Sequence, residues 1–167
     1  MSLIILDRDG VINQDSDAFI KSPEEWIAVP GSLEAIARLN HAGYQVAIAT
    51  NQSGLARGLF DQKILDSIHE KLTTLLADMG GKISVIRYCP HGPNDGCDCR
   101  KPKPGLLNDI ASNMGVSLTD VPVVGDSLRD LQAAEAAGCK PILVRTGKGE
   151  KTLAEGNLPP ATDIYTD

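Results

Sequence analysis

The sequence predicts a single doubly wound α/β domain, with helices on both faces of a parallel sheet. Short apolar runs alternate along the chain with longer segments of helical periodicity. These runs lack polar alternation, which is typical of strands buried on both faces. The chain has 167 residues, of which 42% are hydrophobic and 23% are charged, so residues 1–167 fit one globular domain without a separate cap.

Each element of this prediction follows from a local pattern. The predicted strands are 3–6, 46–49, 83–86, 121–124 and 142–144. The predicted helices are 32–42, 61–79, 105–114 and 127–137, and each is followed by a glycine: Gly43, Gly80, Gly115 and Gly138. Glycine ends helices because it tolerates the left-handed conformation. After Thr146 we expect a short helix and a last strand near 163–166, while 14–29 and 89–103 remain irregular.

Composition restricts the class of partner. The net charge is −6 and no basic run occurs, which argues against nucleic acid as a partner. The first apolar run has only four residues, so we expect neither a signal peptide nor a membrane span. A cytoplasmic, monomeric protein with reduced cysteines is the resulting expectation.

Polar residues follow four predicted strands at the edge where ligands of such sheets bind. Asp7-Arg8-Asp9-Gly10 follows the first strand, and Thr50-Asn51-Gln52-Ser53-Gly54 follows the second. The third leads through a cysteine-containing loop to Arg100-Lys101, and the fourth leads to Gly125-Asp126-Ser127-Leu128-Arg129-Asp130.

Asp7 and Asp126 would end neighbouring strands, and two adjacent carboxylates repel each other unless a cation lies between them. Hard oxygen ligands beside a phosphate substrate favour Mg²⁺. The alternative is that each aspartate only caps a helix or forms a turn. Thr50 and Lys101 on the other strand ends favour the metal site.

The loop 89–99 carries a second candidate metal site. Cys89, His91, Cys97 and Cys99 form a Cys₃His set, which suits tetrahedral structural Zn²⁺. The intervening residues can turn but cannot build a core, so a metal would order this loop. A reduced loop without metal is the alternative, and a catalytic zinc is disfavoured because four protein ligands leave no open position. Cys139 is predicted to be a small buried residue.

The ordered set of motifs resembles the haloacid dehalogenase-like (HAD) phosphatase superfamily, which has a Rossmann-like fold. The motifs are Asp7-x-Asp9-Gly10, Thr50, Lys101 and Gly125-Asp126-x-x-x-Asp130. The resemblance implies an Mg²⁺-dependent phosphatase in which Asp7 is the nucleophile and Asp9 is the acid and base. Thr50 and Lys101 would hold the phosphoryl oxygens. Asp7, Asp126 and the Asp9 carbonyl would bind Mg²⁺, and Asp130 would orient a metal-bound water or a basic neighbour.

The cysteine loop and the Arg100-Lys101-Pro102 sequence resemble one branch of that superfamily. This branch contains the D-glycero-D-manno-heptose-1,7-bisphosphate 7-phosphatases and the histidinol-phosphate phosphatases. Resemblance to the heptose enzymes implies that the substrate is a phosphorylated sugar of bacterial lipopolysaccharide or nucleotide-heptose biosynthesis. The implied substrate-binding residues are Asp15, Ser16, Asp17, Ala18, Asn51, Gln52, Ser53 and Arg100. Arg57 and Arg100 are also candidates for binding a second phosphate or another anion, and the alternative is that each is an ordinary surface arginine. A histidinol-phosphate phosphatase and a zinc-stabilised binding module without activity are the alternatives. Ser127 departs from the heptose branch, which often has Lys there.

Overall fold

The computed structural model describes residues 2–167 as one sheet with flanking helices. The strands are β1 (Ser2–Leu6), β2 (Tyr44–Asn51), β3 (Val85–Cys89), β4 (Pro122–Gly125), β5 (Lys140–Val144) and β6 (Asp163–Tyr165). The helices are α1 (Ser32–His41), α2 (Gln62–Asp78), α3 (Gly105–Met114), α4 (Leu128–Ala136) and α5 (Gly149–Glu155), with a 3₁₀ turn at Pro23–Glu25. The α/β class is therefore confirmed.

The sheet is parallel throughout, in the order β3-β2-β1-β4-β5-β6. Leu6 at the end of β1 is level with Ile48 of β2 and Val124 of β4. The strand order reverses between β1 and β4, and crevices for ligands form at such points. The residues that follow β1, β2 and β4 therefore meet at one edge.

Alternate residues of β1 supply the two hydrophobic cores, because successive side chains point to opposite faces of a strand. Ile4 and Leu6 pack with the buried side chains of α1 and α2. Leu3 and Ile5 pack with those of α3 and α4. Cys139 lies in this second core, as predicted.

Most strand boundaries differ from the sequence prediction by one to three residues, and β3 is shifted the most. β3 starts two residues later than predicted and continues to Cys89, so the first cysteine of the loop lies on the strand itself. The irregular segment 14–29 contributes Trp26, which is fully buried. Lys71 of α2 donates to the carbonyls of Pro23 (2.7 Å) and Trp26 (2.8 Å), which fixes this segment against α2.

Within residues 2–167, no helix has the length and hydropathy needed to cross a membrane.

Candidate active site

A polar cleft of about 250 Å³ lies at the carboxyl edge of the sheet. It is lined by all but one of the residues proposed for catalysis, magnesium or substrate: Asp7, Asp9, Asp15, Ser16, Asp17, Thr50, Asn51, Gln52, Ser53, Arg57, Arg100, Lys101 and Asp126. Ala18 is the exception; its backbone N–H donates to Ser16 Oγ (3.1 Å) in a turn beside the cleft.

Lys101 is the buried cation at the floor of this cleft. Its Nζ lies 2.6 Å from Asp130 Oδ1 and 3.1 Å from Asp7 Oδ1, and it donates to the Ala49 carbonyl (2.8 Å). Burial lowers the pKa of Lys101, but Asp130 and Asp7 outweigh this and raise it overall. The lysine therefore stays charged where a phosphoryl group would meet Asp7.

Asp130 is committed to structural contacts. Its second oxygen accepts hydrogen bonds from the backbone N–H (3.2 Å) and hydroxyl (2.9 Å) of Ser127. Burial acts to raise the pKa of Asp130, but Lys101 and Ser127 lower it. Of the two roles considered for Asp130, the structure places it against a basic neighbour, Lys101.

Asp7 and Asp126 form the pair that fits a divalent cation. A carboxylate oxygen of each lies within 4.8 Å of the other and of Asp130. Burial and Asp130 hold the pKa of Asp7 well above its ordinary value. The same two causes raise the pKa of Asp126 to about 7. Ionising both carboxylates therefore requires a positive charge between them, and carboxylate oxygens are ligands that Mg²⁺ prefers.

The backbone around Asp126 is shaped to hold its carboxylate. The Lys148 N–H donates to Asp126 Oδ2 (2.9 Å). A methyl group added at Gly10 or Gly147 would collide with that same oxygen, and both glycines have positive φ, 85° and 55°. Only glycine therefore lets the two loops approach this closely.

The two oxygens of Asp9 have unequal surroundings. Oδ1 accepts hydrogen bonds from Arg8 Nε (2.9 Å) and Asn13 Nδ2 (3.0 Å), whereas Oδ2 accepts one from Gln52 Nε2 (3.2 Å). Burial acts to raise the pKa of Asp9, but Arg8 and these hydrogen bonds lower it overall.

Asn51, which is predicted to bind substrate, lines the cleft, and its side-chain amide is also hydrogen-bonded within the protein. Its Oδ1 accepts from the Lys101 N–H (3.1 Å) and its Nδ2 donates to the Lys101 carbonyl (3.3 Å). The amide therefore fixes the backbone that carries the buried lysine. Thr50 Oγ1, beside it, accepts from Gln52 Nε2 (3.0 Å).

The outer part of the cleft carries charges of both signs. Lys148 pairs with Asp15 (3.3 Å), and the Arg57 guanidinium lies 5.2 Å from the centre of the Phe19 ring. Burial and the nearby guanidinium of Arg129 lower the pKa of Arg100. An anion would relieve the crowding of these cations.

Three cleft residues were missed from the sequence: Phe19, Arg129 and Lys148. Arg129 lies inside the Gly125–Asp130 motif, so its position next to a strand end was an available signal. No such sequence signal was available for Phe19 or Lys148, because neither residue follows a motif.

The predicted zinc ligands come together in the loop after β3. Ligand atoms of Cys89, His91, Cys97 and Cys99 lie within 4.8 Å of one another. His91 Nδ1 is 3.5 Å from Cys89 Sγ and 3.4 Å from Cys99 Sγ, and the Cys89 and Cys97 sulfurs are 3.6 Å apart. Tetrahedral Zn–S distances near 2.3 Å imply ligand separations of about 3.7 Å, so these three distances suit zinc. The sulfurs of Cys99 and Cys89 are closer, at 2.8 Å.

Burial and the neighbouring thiols raise the pKa of Cys99 to about 12, so ionisation of this thiol beside the other two needs a cation. The Cys₃His cluster could therefore hold zinc. Arg100 Nη1 donates to the His91 carbonyl (3.2 Å), which connects this cluster to the cleft.

This fold and site define a phosphatase of the HAD type. A family model described as HAD-hydrolase-like matches residues 98–167. A D-glycero-β-D-manno-heptose-1,7-bisphosphate 7-phosphatase from Bordetella bronchiseptica is 65% identical over 167 residues, which cover 100% of this chain and 93% of that protein. The protein of the same name from Pseudomonas aeruginosa is 57% identical over 99% of this chain and 93% of its own length.

The crystal structure of the B. bronchiseptica D,D-heptose 1,7-bisphosphate phosphatase, complexed with magnesium and phosphate, matches with a TM-score of 0.99 over 100% of this chain and 93% of that one. This chain belongs to the D-glycero-β-D-manno-heptose-1,7-bisphosphate 7-phosphatase family.

Proposed function

We propose that this chain is a magnesium-dependent phosphatase that removes the 7-phosphate of D-glycero-β-D-manno-heptose 1,7-bisphosphate. The observation that carries the proposal is the buried group of Asp7, Lys101 and Asp126 at the floor of a polar cleft. The 65% identical relative carries the name of this activity and supports the choice of substrate. In this proposal residues 1–167 form one domain that acts as a monomer.

In the first half of the reaction, Asp7 attacks phosphorus and the sugar oxygen leaves. Asp7, Asp126 and the Asp9 carbonyl would hold Mg²⁺, whose positive charge would screen the Asp7 carboxylate from the phosphoryl oxygens. Lys101 Nζ, 3.1 Å from Asp7, supplies a second positive charge at the same point. Asp9 gives its proton to the sugar oxygen, which leaves as an alcohol.

In the second half, Asp9 has become a carboxylate and takes a proton from water as that water attacks the aspartyl-phosphate. The lowered pKa of Asp9 suits this base role, whereas it opposes the protonated form that the first half needs, so the substrate must favour protonation of Asp9 when it binds. Thr50 and the backbone N–H groups after it hold the phosphoryl oxygens while Asp7 is regenerated.

The second phosphate of the substrate lies against the outer cations of the cleft. Arg57, Arg100 and Arg129 line this part, and guanidinium groups match the geometry of phosphate oxygens. Zn²⁺ in the Cys₃His cluster is structural and fixes the loop from which Arg100 projects. Asp15, Ser16 and Asp17 face the sugar.

The test is phosphate release by the purified protein with Mg²⁺, using both anomers of heptose 1,7-bisphosphate and histidinol phosphate. Preferred hydrolysis of the β-anomer, with ³¹P NMR showing that the 7-phosphate is lost, is the expected result. Asp7→Asn is the control for contaminating phosphatases. Faster hydrolysis of histidinol phosphate would overturn the substrate, and release equal to that of the control would mean a protein without activity.

A further inference from the structure

The buried side chain of Arg8 has no part in the chemistry described above. Arg8 separates Asp7 from Asp9 in sequence, and its side chain is 0% exposed. Its Nε donates to Asp9 Oδ1 (2.9 Å). Its Nη2 lies 2.8 Å from the same oxygen as an ion pair but makes no hydrogen bond, so Nη1 carries the second hydrogen bond of the guanidinium. Both contacts fix one oxygen of Asp9, Oδ1, against the buried guanidinium.

The other end of this guanidinium meets a buried histidine. Arg8 Nη1 lies 3.1 Å from Nε2 of His69, a residue of α2 that is only 9% exposed. Because a guanidinium has only donors, Nε2 accepts this hydrogen bond and the imidazole is neutral, with its proton on Nδ1. Burial and the charge of Arg8 lower the pKa of His69 to about 4, which agrees with a neutral ring.

We propose that His69, acting through Arg8, is a positioning residue for the acid–base carboxylate of Asp9. The inference rests on the proposed function, since it needs Asp9 to transfer protons. Oδ1 of Asp9 is held by Arg8 and Asn13, while Oδ2 has a single contact, from Gln52. Oδ2 is thus the oxygen that carries the proton, and the anchored Oδ1 sets its direction.

His69 matters because Arg8 is buried. Without an acceptor at Nε2, Nη1 would be an unpaired buried donor, and the guanidinium would shift to find another partner. A shift of about 1 Å in a reacting group can cost roughly 10²-fold in rate. His69→Leu should therefore weaken proton transfer although residue 69 does not line the cleft.

The experiment compares kcat/KM for two kinds of substrate. For each substrate, kcat/KM reports the steps up to the transfer of phosphorus to Asp7. An alkyl phosphate such as the heptose bisphosphate needs a proton on its leaving oxygen. Acetyl phosphate and p-nitrophenyl phosphate release stable anions and do not need one. We expect His69→Leu to lower kcat/KM for the sugar phosphate roughly 10- to 100-fold and that for the activated phosphates less than about threefold.

Matched variants separate positioning from folding. His69→Gln places a carbonyl oxygen near the Nε2 position and should restore the sugar phosphate rate to within about threefold of wild type. Arg8→Lys keeps the positive charge but loses the planar guanidinium with its several donors. This variant should show the same selective loss of kcat/KM for the sugar phosphate as His69→Leu. Tyr88→Phe is the control, because the Tyr88 ring neighbours that of His69 at 6.3 Å while its hydroxyl bonds only Gln62 (2.6 Å).

Equal losses on both kinds of substrate, or none, in His69→Leu and Arg8→Lys would overturn the inference. Failure of His69→Gln to restore the rate would also contradict it. Turnover of heptose bisphosphate by the wild-type enzyme tests the proposed function separately, because the selectivity ratio can be measured with any alkyl phosphate that the enzyme accepts.

Discussion

Gly10→Ala should disable magnesium binding through one added methyl group. The ideal Cβ at residue 10 would lie 2.6 Å from the Asp126 carboxylate carbon and closer still to Oδ2. Ordinary contact begins at 3.4 Å, so the Asp126 carboxylate carbon would have to retreat by about 0.8 Å and Oδ2 by more than that. Mg²⁺ demands ligands at about 2.0–2.1 Å in near-ideal octahedral geometry, and a displacement near 1 Å in a catalytic centre can cost roughly 10²-fold. We therefore expect kcat/KM to fall about 100-fold and the Mg²⁺ concentration for half-activity to rise.

The substitution also strains the backbone, because residue 10 has φ of 85°. Gly31→Ala separates the two effects. Gly31 has φ of 84° and no atom within 4 Å of its added Cβ, so this variant carries the same strain without the collision. Left-handed backbone costs a non-glycine residue about 1–2 kcal/mol, which should lower Tm in both variants. Magnesium-dependent phosphate release is the assay. Gly10→Ala activity within about threefold of Gly31→Ala would refute the reasoning.

Three further predictions concern the nucleophile and the metals. Asp7→Asn should abolish turnover in a folded protein, because a neutral amide cannot attack phosphorus; residual activity within tenfold of wild type would contradict the assignment. Chelation by EDTA should stop phosphate release and added Mg²⁺ should restore it, whereas full activity in a protein free of metal by elemental analysis would exclude the magnesium site. Cys97→Ala should lose zinc and much of its activity while keeping its circular dichroism spectrum, because the loop that carries Arg100 loosens. Zinc content and phosphatase rate should be measured on the same Cys97→Ala preparation. A zinc-free variant with wild-type kinetics would contradict the link between zinc and activity.

The sequence was sufficient for features that depend on local patterns. Strand–helix alternation predicted the α/β class, and the residues after β1, β2 and β4 gather at one edge because parallel strands point the same way. Contacts between distant segments could not be read in this way. Asn51 is the last residue of β2, a position typical of ligand-binding residues, and its amide also holds a backbone 50 residues further along the chain. His69 lies on the buried face of α2, where a single sequence gives no sign that Arg8 is its partner.

The charges at the floor of the cleft explain why substrate and magnesium should bind together. Asp7, Asp126 and Asp130 carry three negative charges when ionised, and Lys101 supplies one positive charge, while Asp9 is balanced by Arg8. The floor is therefore short of two positive charges. Burial and this deficit together raise the pKa values of Asp7 and Asp126. A phosphate dianion would meet net repulsion there until a divalent cation restores neutrality.

The reverse also holds, because a bound phosphoryl group adds oxygen ligands for the cation. Binding free energies are reciprocal, so each ligand raises the affinity of the other by the same factor. The buried Lys101, held by Asp130 at 2.6 Å, is the fixed part of this arrangement. In the proposed reaction the cation and the substrate are the exchangeable parts, and the outer arginines would add the charge that a second phosphate needs.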